Sequence, residues 1–385
     1  MTAPLQQRVR PRAGGRRTRI GRGRLLAVEA AVGAAIAGDA LVGVAGYVLL
    51  GVAAAVLAVA LARRDGRWVT DLLAARFRVS ALPSPAPAPP APRTAGDLGA
   101  VAVIAPRLEV VECTDRNADP IGVAWDGQGF AAAVELGTQT PLRLDLGRLA
   151  AYAAGDDVPL AGIQLLVEQL GGARANGNGP GPSRDPWPGA DVPLMRRAFL
   201  ALRYEPIWAP DAARSRGEGG SDGARRAVAA ALARLRVRLL AHGLAATPLD
   251  AAALIHTLRT VGDPAPKAIL HRDGWTAGAS EHRCLGATIA SAADWQQLLR
   301  TAAHSPAERA VLSLAVELDG TSTRTRSAVR LISTDQARVR DARQQVLDTG
   351  LAVPLPGAQA AGVLATLPLG GGPRPLTGAI GWTPR

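Results

Sequence analysis

Lysine is almost missing from this chain: Lys267 is the only one among 44 basic residues. A phosphate-binding loop needs Gly-rich backbone followed by Lys and Ser or Thr, so that amides and an ammonium meet the phosphates. Lys267 lies in DPAPKAIL without those partners, which excludes a P-loop. Aromatic residues make up 3% of the chain, too few for the stacking platforms of a single-strand nucleic-acid binder. Two cysteines, Cys113 and Cys284, lie far apart and match no zinc spacing. One such pair is not a disulfide framework. The five histidines, His242, His256, His271, His282 and His304, include no HExxH, and neither an Asp-x-Asp nor a GxSxG elbow occurs.

What is abundant is Ala, Gly, Pro and Arg, a bias we read as codon usage in a high-GC genome. The hydrophobic fraction of 48% over 385 residues supplies a sizeable core and excludes disorder throughout. The net charge of +12 is unevenly spread. Residues 1–78 carry thirteen arginines against Glu29, Asp39, Asp65 and Asp71, so nine of those twelve positive charges lie there. The basicity flanks an apolar run, which points to membrane topology and away from nucleic acid.

That run, from Leu25 to Ala62, holds only Glu29 and Asp39 as charges. At 38 residues it is nearly twice the roughly 20 that one crossing needs. Arginine precedes and follows it, and Arg-rich flanks stay cytoplasmic. Two transmembrane helices, at about 25–38 and 41–62, are therefore expected, turning at Asp39, with both termini in the cytoplasm and the protein in the plasma membrane. Glu29 is then either interfacial or turned toward a partner helix. A cleaved signal peptide is the competing reading.

The expected organisation is a basic arm at 1–24, the transmembrane hairpin at 25–62, a basic exit segment and Pro/Ala-rich linker at 63–98, and a cytosolic domain at 99–385. The linker PSPAPAPPAPRTAG offers nothing to pack and reads as a spacer. In the domain, LEVVECTD, IGVAWDG and FAAAVELG alternate between turn signals and predict a three-strand meander. A helix near 145–154 and a strand IQLLVEQL follow, then a polar loop, GGARANGNGPGPSRDPWPG. The strand RRAFLALRYEP leads to the clearest helix, ARRAVAAALARLRVRLLAHG, where Val228, Ala231, Leu232, Leu235 and Leu239 recur at helical spacing and Gly243 ends the run. A second helix ends at Gly262, and the remainder reads strand, helix, strand, strand, helix and a final strand AGVLATLPL. The fold class expected is an N-terminal transmembrane helical hairpin plus an α+β soluble domain, a sheet covered by helices. No internal repeat is visible.

His271, Asp273, Glu281, His282 and Cys284 form the densest cluster of reactive side chains. They read either as a metal or catalytic loop or as side chains that order a loop around Trp275. GEGGSDG, before the long helix, reads either as an anion-binding helix start or as a connector. The helix arginines are a solvated face or a docking face for acidic protein or lipid. No catalytic, cofactor-binding or metal residue is assigned, and no cofactor is expected.

The order of features, with the segments CTDRNADPIGVAWDGQGF, DVPLAGIQLLVEQ, RRAFLALRYEPIWAP, GARRAVAAALARLRVRLLAHGL and ATLPLGG, resembles the EccE component of actinobacterial type VII (ESX) secretion systems. The resemblance implies a non-enzymatic structural subunit of the inner-membrane secretion complex, in contact with EccB, EccC and EccD and with the lipid bilayer. It implies no nucleic acid and no small-molecule substrate. Family domains have been compared with glycosyltransferase folds, so the rival function is a membrane-tethered enzyme acting on an envelope precursor.

Overall fold

The computed structural model describes residue 29 and residues 31–36, 44–61, 63–64, 67–68, 98–115, 117–137, 151–170, 195–216, 220–319 and 322–372. The linker expected at 83–96 and the polar loop at 171–189 lie outside the described residues. The chain divides into two compact units, Met1–Ala81 and Leu82–Arg385.

In the first unit, residues 31–36 are helical, Glu29 is exposed, and helix α1 runs Val44–Leu61. Strands β1 (Arg63–Arg64) and β2 (Arg67–Trp68) pair antiparallel behind it. The transmembrane hairpin expected at 25–38 and 41–62 is corrected: among the described residues, no helix is long and apolar enough to cross a membrane. The physical reason is length. The 18 residues of α1 rise about 27 Å, short of a hydrocarbon core of about 30 Å.

The second unit is a three-layer sandwich around a mostly antiparallel sheet. Its strands are β3 (Glu109–Thr114), β4 (Pro120–Trp125), β5 (Phe130–Leu136), β6 (Gly162–Leu170), β7 (Met195–Tyr204), β8 (Ala246–Pro248), β9 (Ala268–Leu270), β10 (Trp275–Ala277), β11 (Ser280–Ala287), β12 (Arg309–Asp319), β13 (Ser322–Ser333) and β14 (Ala352–Pro354). Their order is β3-β4-β5-β7-β6-β12-β13-β11-β10-β9, with β8 also on β5 and β14 also on β11. The helices are α2 (Val101–Ile104), α3 (Pro210–Arg214), α4 (Gly220–Ala241), α5 (Ala251–Gly262), α6 (Ala292–His304), α7 (Gln336–Asp348) and α8 (Gln359–Ala365).

Period-two alternation delivers apolar side chains to both faces of this sheet, and each face has its own helices. One face buries Leu165, Leu200, Leu312 and Val329 against Val228, Leu232 and Leu235 of α4, Trp295 and Leu298 of α6 and Val346 of α7. The other buries Ala131, Ala133, Leu166, Phe199 and Ala201 under Leu254, Leu258 and Val261 of α5, and Cys284 and Ala328 beside Ala361 and Val363 of α8. Caps fix where the helices start. Asp250 accepts from Ala253 N at the head of α5, Ser291 and Asp294 form a capping box on α6, and Asp335 caps α7.

The segment AGVLATLPL, expected as a strand, is instead α8 and the turn after it. A short, continuous apolar run carries no period that separates a buried strand from a buried helix. The absence of a repeat is also corrected, because the sheet order reads the same from either end. A meander (β3-β4-β5 or β9-β10-β11) leads to a central strand (β6 or β12). The next strand (β7 or β13) inserts between meander and centre, a helix follows (α4 or α7), and a three-residue strand (β8 or β14) returns to the meander before a last helix (α5 or α8). A pseudo-twofold axis between Leu166 and Ser313, paired at the centre of the β6-β12 ladder, relates the halves. Carried outward through the observed registers, it places Gly127 on Gly278 and Pro248 on Pro354. Gly127 and Gly278 both hold positive φ in their hairpin turns, and Gly243 (φ 73°) and Gly350 (φ 72°) both end their helices in the left-handed conformation.

Candidate functional site

The structure divides the sequence-predicted cluster. His271 and Asp273 are exposed on the β9-β10 turn, where His271 Nε2 lies 3.3 Å from Thr276 Oγ1. Glu281 is taken up by its neighbour Arg283. Alternation along β11 sends only His282 and Cys284 inward, onto the face covered by α8. Both are buried, at 0% and 1% exposure.

His282 meets a residue outside the predicted cluster. Its Nε2 lies 3.2 Å from Oδ2 of Asp263, the residue that ends α5, and its ring stands edge-on to Trp275 at 4.5 Å between centroids. Burial drives the imidazole pKa down to about 4, against the pull of Asp263, so His282 is neutral at pH 7. Burial alone would raise the Asp263 carboxyl, but the hydrogen bonds from His282 and Ala265 N hold it below its ordinary value. The Asp263 carbonyl accepts from Ala100 N at 3.1 Å, which ties the start of the domain to the same point.

Beside this pair, Arg330 of β13 is fully buried opposite Cys284. Its Nη1 donates to the Gly262 carbonyl at 2.9 Å and its Nη2 to those of Val261 at 2.6 Å and Thr366 at 3.4 Å. It thus satisfies the C-terminal carbonyls of α5 and the carbonyl that follows α8, where a cation suits the helix dipoles. Burial lowers its pKa to about 10, which still leaves it charged at neutral pH. Cys284 is inert: burial pushes its thiol up to about 12, and Gln359 brackets its backbone, accepting from Cys284 N at 2.9 Å and donating to Cys284 O at 3.2 Å. Nearby, Glu168 receives Arg197 at 2.6 Å and Arg309 at 3.4 Å, and Arg309 also donates to the Thr260 carbonyl.

A second buried charge cluster lies in the first half. Arg203, 2% exposed, donates to Asp126 in the β4-β5 turn at 2.7 Å and to Glu205 Oε1 at 2.7 Å, and Trp208 Nε1 donates to Glu205 Oε2. The two carboxylates raise the Arg203 pKa in spite of burial, and Arg203 holds Asp126 below its ordinary value in turn. Gly129 is required there, because a Cβ would stand 2.7 Å from the Arg203 guanidinium.

These arrangements are hydrogen-bonded fastenings of chain segments. Neither places a nucleophile beside a base. Among the described residues, no group of three or more His, Cys, Asp or Glu is placed to hold a metal ion. Helix α4 begins at Gly220 within GEGGSDG, and three of its five arginines form ion pairs: Arg225 with Asp222, Arg234 with Asp156 and Arg236 with Asp119. Sequence reasoning missed Asp263, Arg309 and Arg330. Only Arg330 left a signal, since Ala328, Arg330 and Ile332 share one phase of a strand and put a guanidinium on its apolar side.

The second unit is therefore a two-half α/β/α sandwich whose buried polar groups tie its chain segments together. Residues 192–290, from just before β7 to just past β11, match the family model described as "Putative type VII ESX secretion system translocon, EccE". The resemblance read from the segments of the chain is thus found independently over that span, which includes Asp263 and His282. No curated protein matches the chain.

Proposed function

We propose that this protein is a non-enzymatic subunit of a type VII (ESX) secretion complex, associated with the membrane through that assembly. The observation that carries the reading is the family match across residues 192–290, the span that supplies the last two strands and the helices α3 to α5 of the first half and the opening meander of the second. Supporting the non-enzymatic part, the side chains an enzyme reading depends on are engaged elsewhere. His282 is sealed against Asp263 and Trp275, and Asp273 stands apart in a turn. Supporting membrane association, α1 carries no charge and exposes Val44, Tyr47, Val48 and Val52. The domain at 99–385 is the portion that engages the other components, with EccB, EccC and EccD as the partners of that reading.

The test is purification of the tagged full chain from native membranes in mild detergent. Co-purification of the other secretion components is expected, and isolation as a lone species overturns the proposal. Alanine at Asp273 separates it from the envelope-precursor enzyme. Secretion is expected to persist, whereas lost secretion from an intact complex favours the enzyme.

A further inference from the structure

The pseudo-twofold permits a comparison between equivalent positions in one molecule. Carried through the strand registers, it sets Trp275 on Ala124, His282 on Ala131, Cys284 on Ala133 and Arg330 on Ala201. All eight are buried on the same face of the sheet. In the first half the four alanines form a flat, apolar bed under α5. In the second half the same four places hold an indole, an imidazole, a thiol and a guanidinium. Among the described residues, three atoms of these side chains are buried without a hydrogen-bond partner: Trp275 Nε1, His282 Nδ1 and Arg330 Nε. Trp275 and His282 are direct cross-strand partners, and Arg330 lies on the next strand, diagonal to His282.

We propose that Trp275, His282 and Arg330 line a buried hydration site, occupied by one or more internal water molecules, that the first half lacks. The chemistry of the three atoms selects the ligand. Trp275 Nε1 and Arg330 Nε are obligate donors. His282 is neutral and gives its one proton, on Nε2, to the Asp263 carboxylate, so its Nδ1 is an acceptor. A small anion satisfies the two donors and repels the imidazole lone pair. A cation meets only the lone pair and faces Arg330. Water accepts from the donors and donates to the imidazole, and buried polar groups without protein partners are where internal waters reside. The site lies where the start of the domain, the junction of the halves and the C-terminal turn meet, through Ala100 N on the Asp263 carbonyl and Arg330 on the Gly262 and Thr366 carbonyls.

The experiment is water-to-indole cross-relaxation on the full chain, labelled with ¹⁵N at the tryptophan indoles. The Trp275→Phe variant assigns the resonance among the seven tryptophans. A cross-peak from the Trp275 indole proton to a long-lived water is expected, and its absence overturns the proposal. Crystals grown in bromide supply a second reading that needs no variant. An anomalous peak beside Trp275 Nε1 and Arg330 Nε shows an anion in place of water and also overturns it, while water density without an anomalous signal supports it.

Discussion

The guanidinium of Arg330 donates from Nη1 to the carbonyl oxygen of Gly262 at 2.9 Å, so a strand of the second half closes the last helix of the first. The charge is fully buried, and its two terminal nitrogens donate to carbonyls. Replacing Arg330 with Met keeps the apolar stem and orphans those carbonyls. At about 1–3 kcal/mol for an unsatisfied buried group, a loss of roughly 3 kcal/mol is expected in urea denaturation. Arg330→Lys does not rescue it fully, because an ammonium cannot span both helix ends as the planar fork does. Full stability in the Met variant would show that these bonds contribute nothing net.

His282 and Asp263 give the fold a pH dependence of known sign. His282 titrates at about 4 in the folded chain and near 6.5 when unfolded, so the unfolded state binds more protons between those values. The contribution is fully present above pH 6.5 and is lost as pH falls through 4. The lowered Asp263 acts in the same direction at still lower pH, since its carboxylate protonates more readily once unfolded. Denaturation midpoints measured from pH 7 to pH 4 should fall, and His282→Gln should flatten the part between 6.5 and 4. An unchanged slope in that variant would place the titration elsewhere.

How much of this was legible follows from what each residue signals. The long helix was readable because Val228, Leu232, Leu235 and Leu239 repeat at three and four spacing, and the structure buries those four side chains in α4. Alternation likewise marked the strands of the first meander. The duplication was hidden because its halves share almost no side chains. Pro248-Leu249 against Pro354-Leu355, and Ala246 against Ala352, are what remain at equivalent places in the strand register. Symmetry lives in strand register, which a single sequence does not display. The cluster around His282 misled for a related reason, since proximity in sequence joined residues that a strand sends to opposite faces, while Asp263 and Arg330 arrive from other elements.

Cysteine chemistry should separate the two thiols. Both are free, Cys113 half-buried and Cys284 buried, and burial raises both pKa values, that of Cys284 to about 12. A thiol reagent at pH 8 is expected to titrate Cys113 slowly and leave Cys284 untouched until the chain is denatured. Cys113→Ser should abolish native reactivity. Rapid modification of that variant would mean that the face under α8 opens readily.

The paired helix ends test the duplication energetically. Gly243 and Gly350 occupy the left-handed conformation after α4 and α7, and neither has an atom near enough to clash with an added Cβ. Substitution by Ala therefore probes backbone conformation alone, at a cost of about 1–2 kcal/mol each. Because the two glycines terminate corresponding helices and belong to different halves, the two losses should match within about 0.5 kcal/mol and add in the double variant. Thermal or urea denaturation of the two single variants and the double variant checks this. Unequal losses would show that the halves have diverged in backbone energetics as well as in side chains, and a double variant costing much more than the sum would show that the β6-β12 seam couples them.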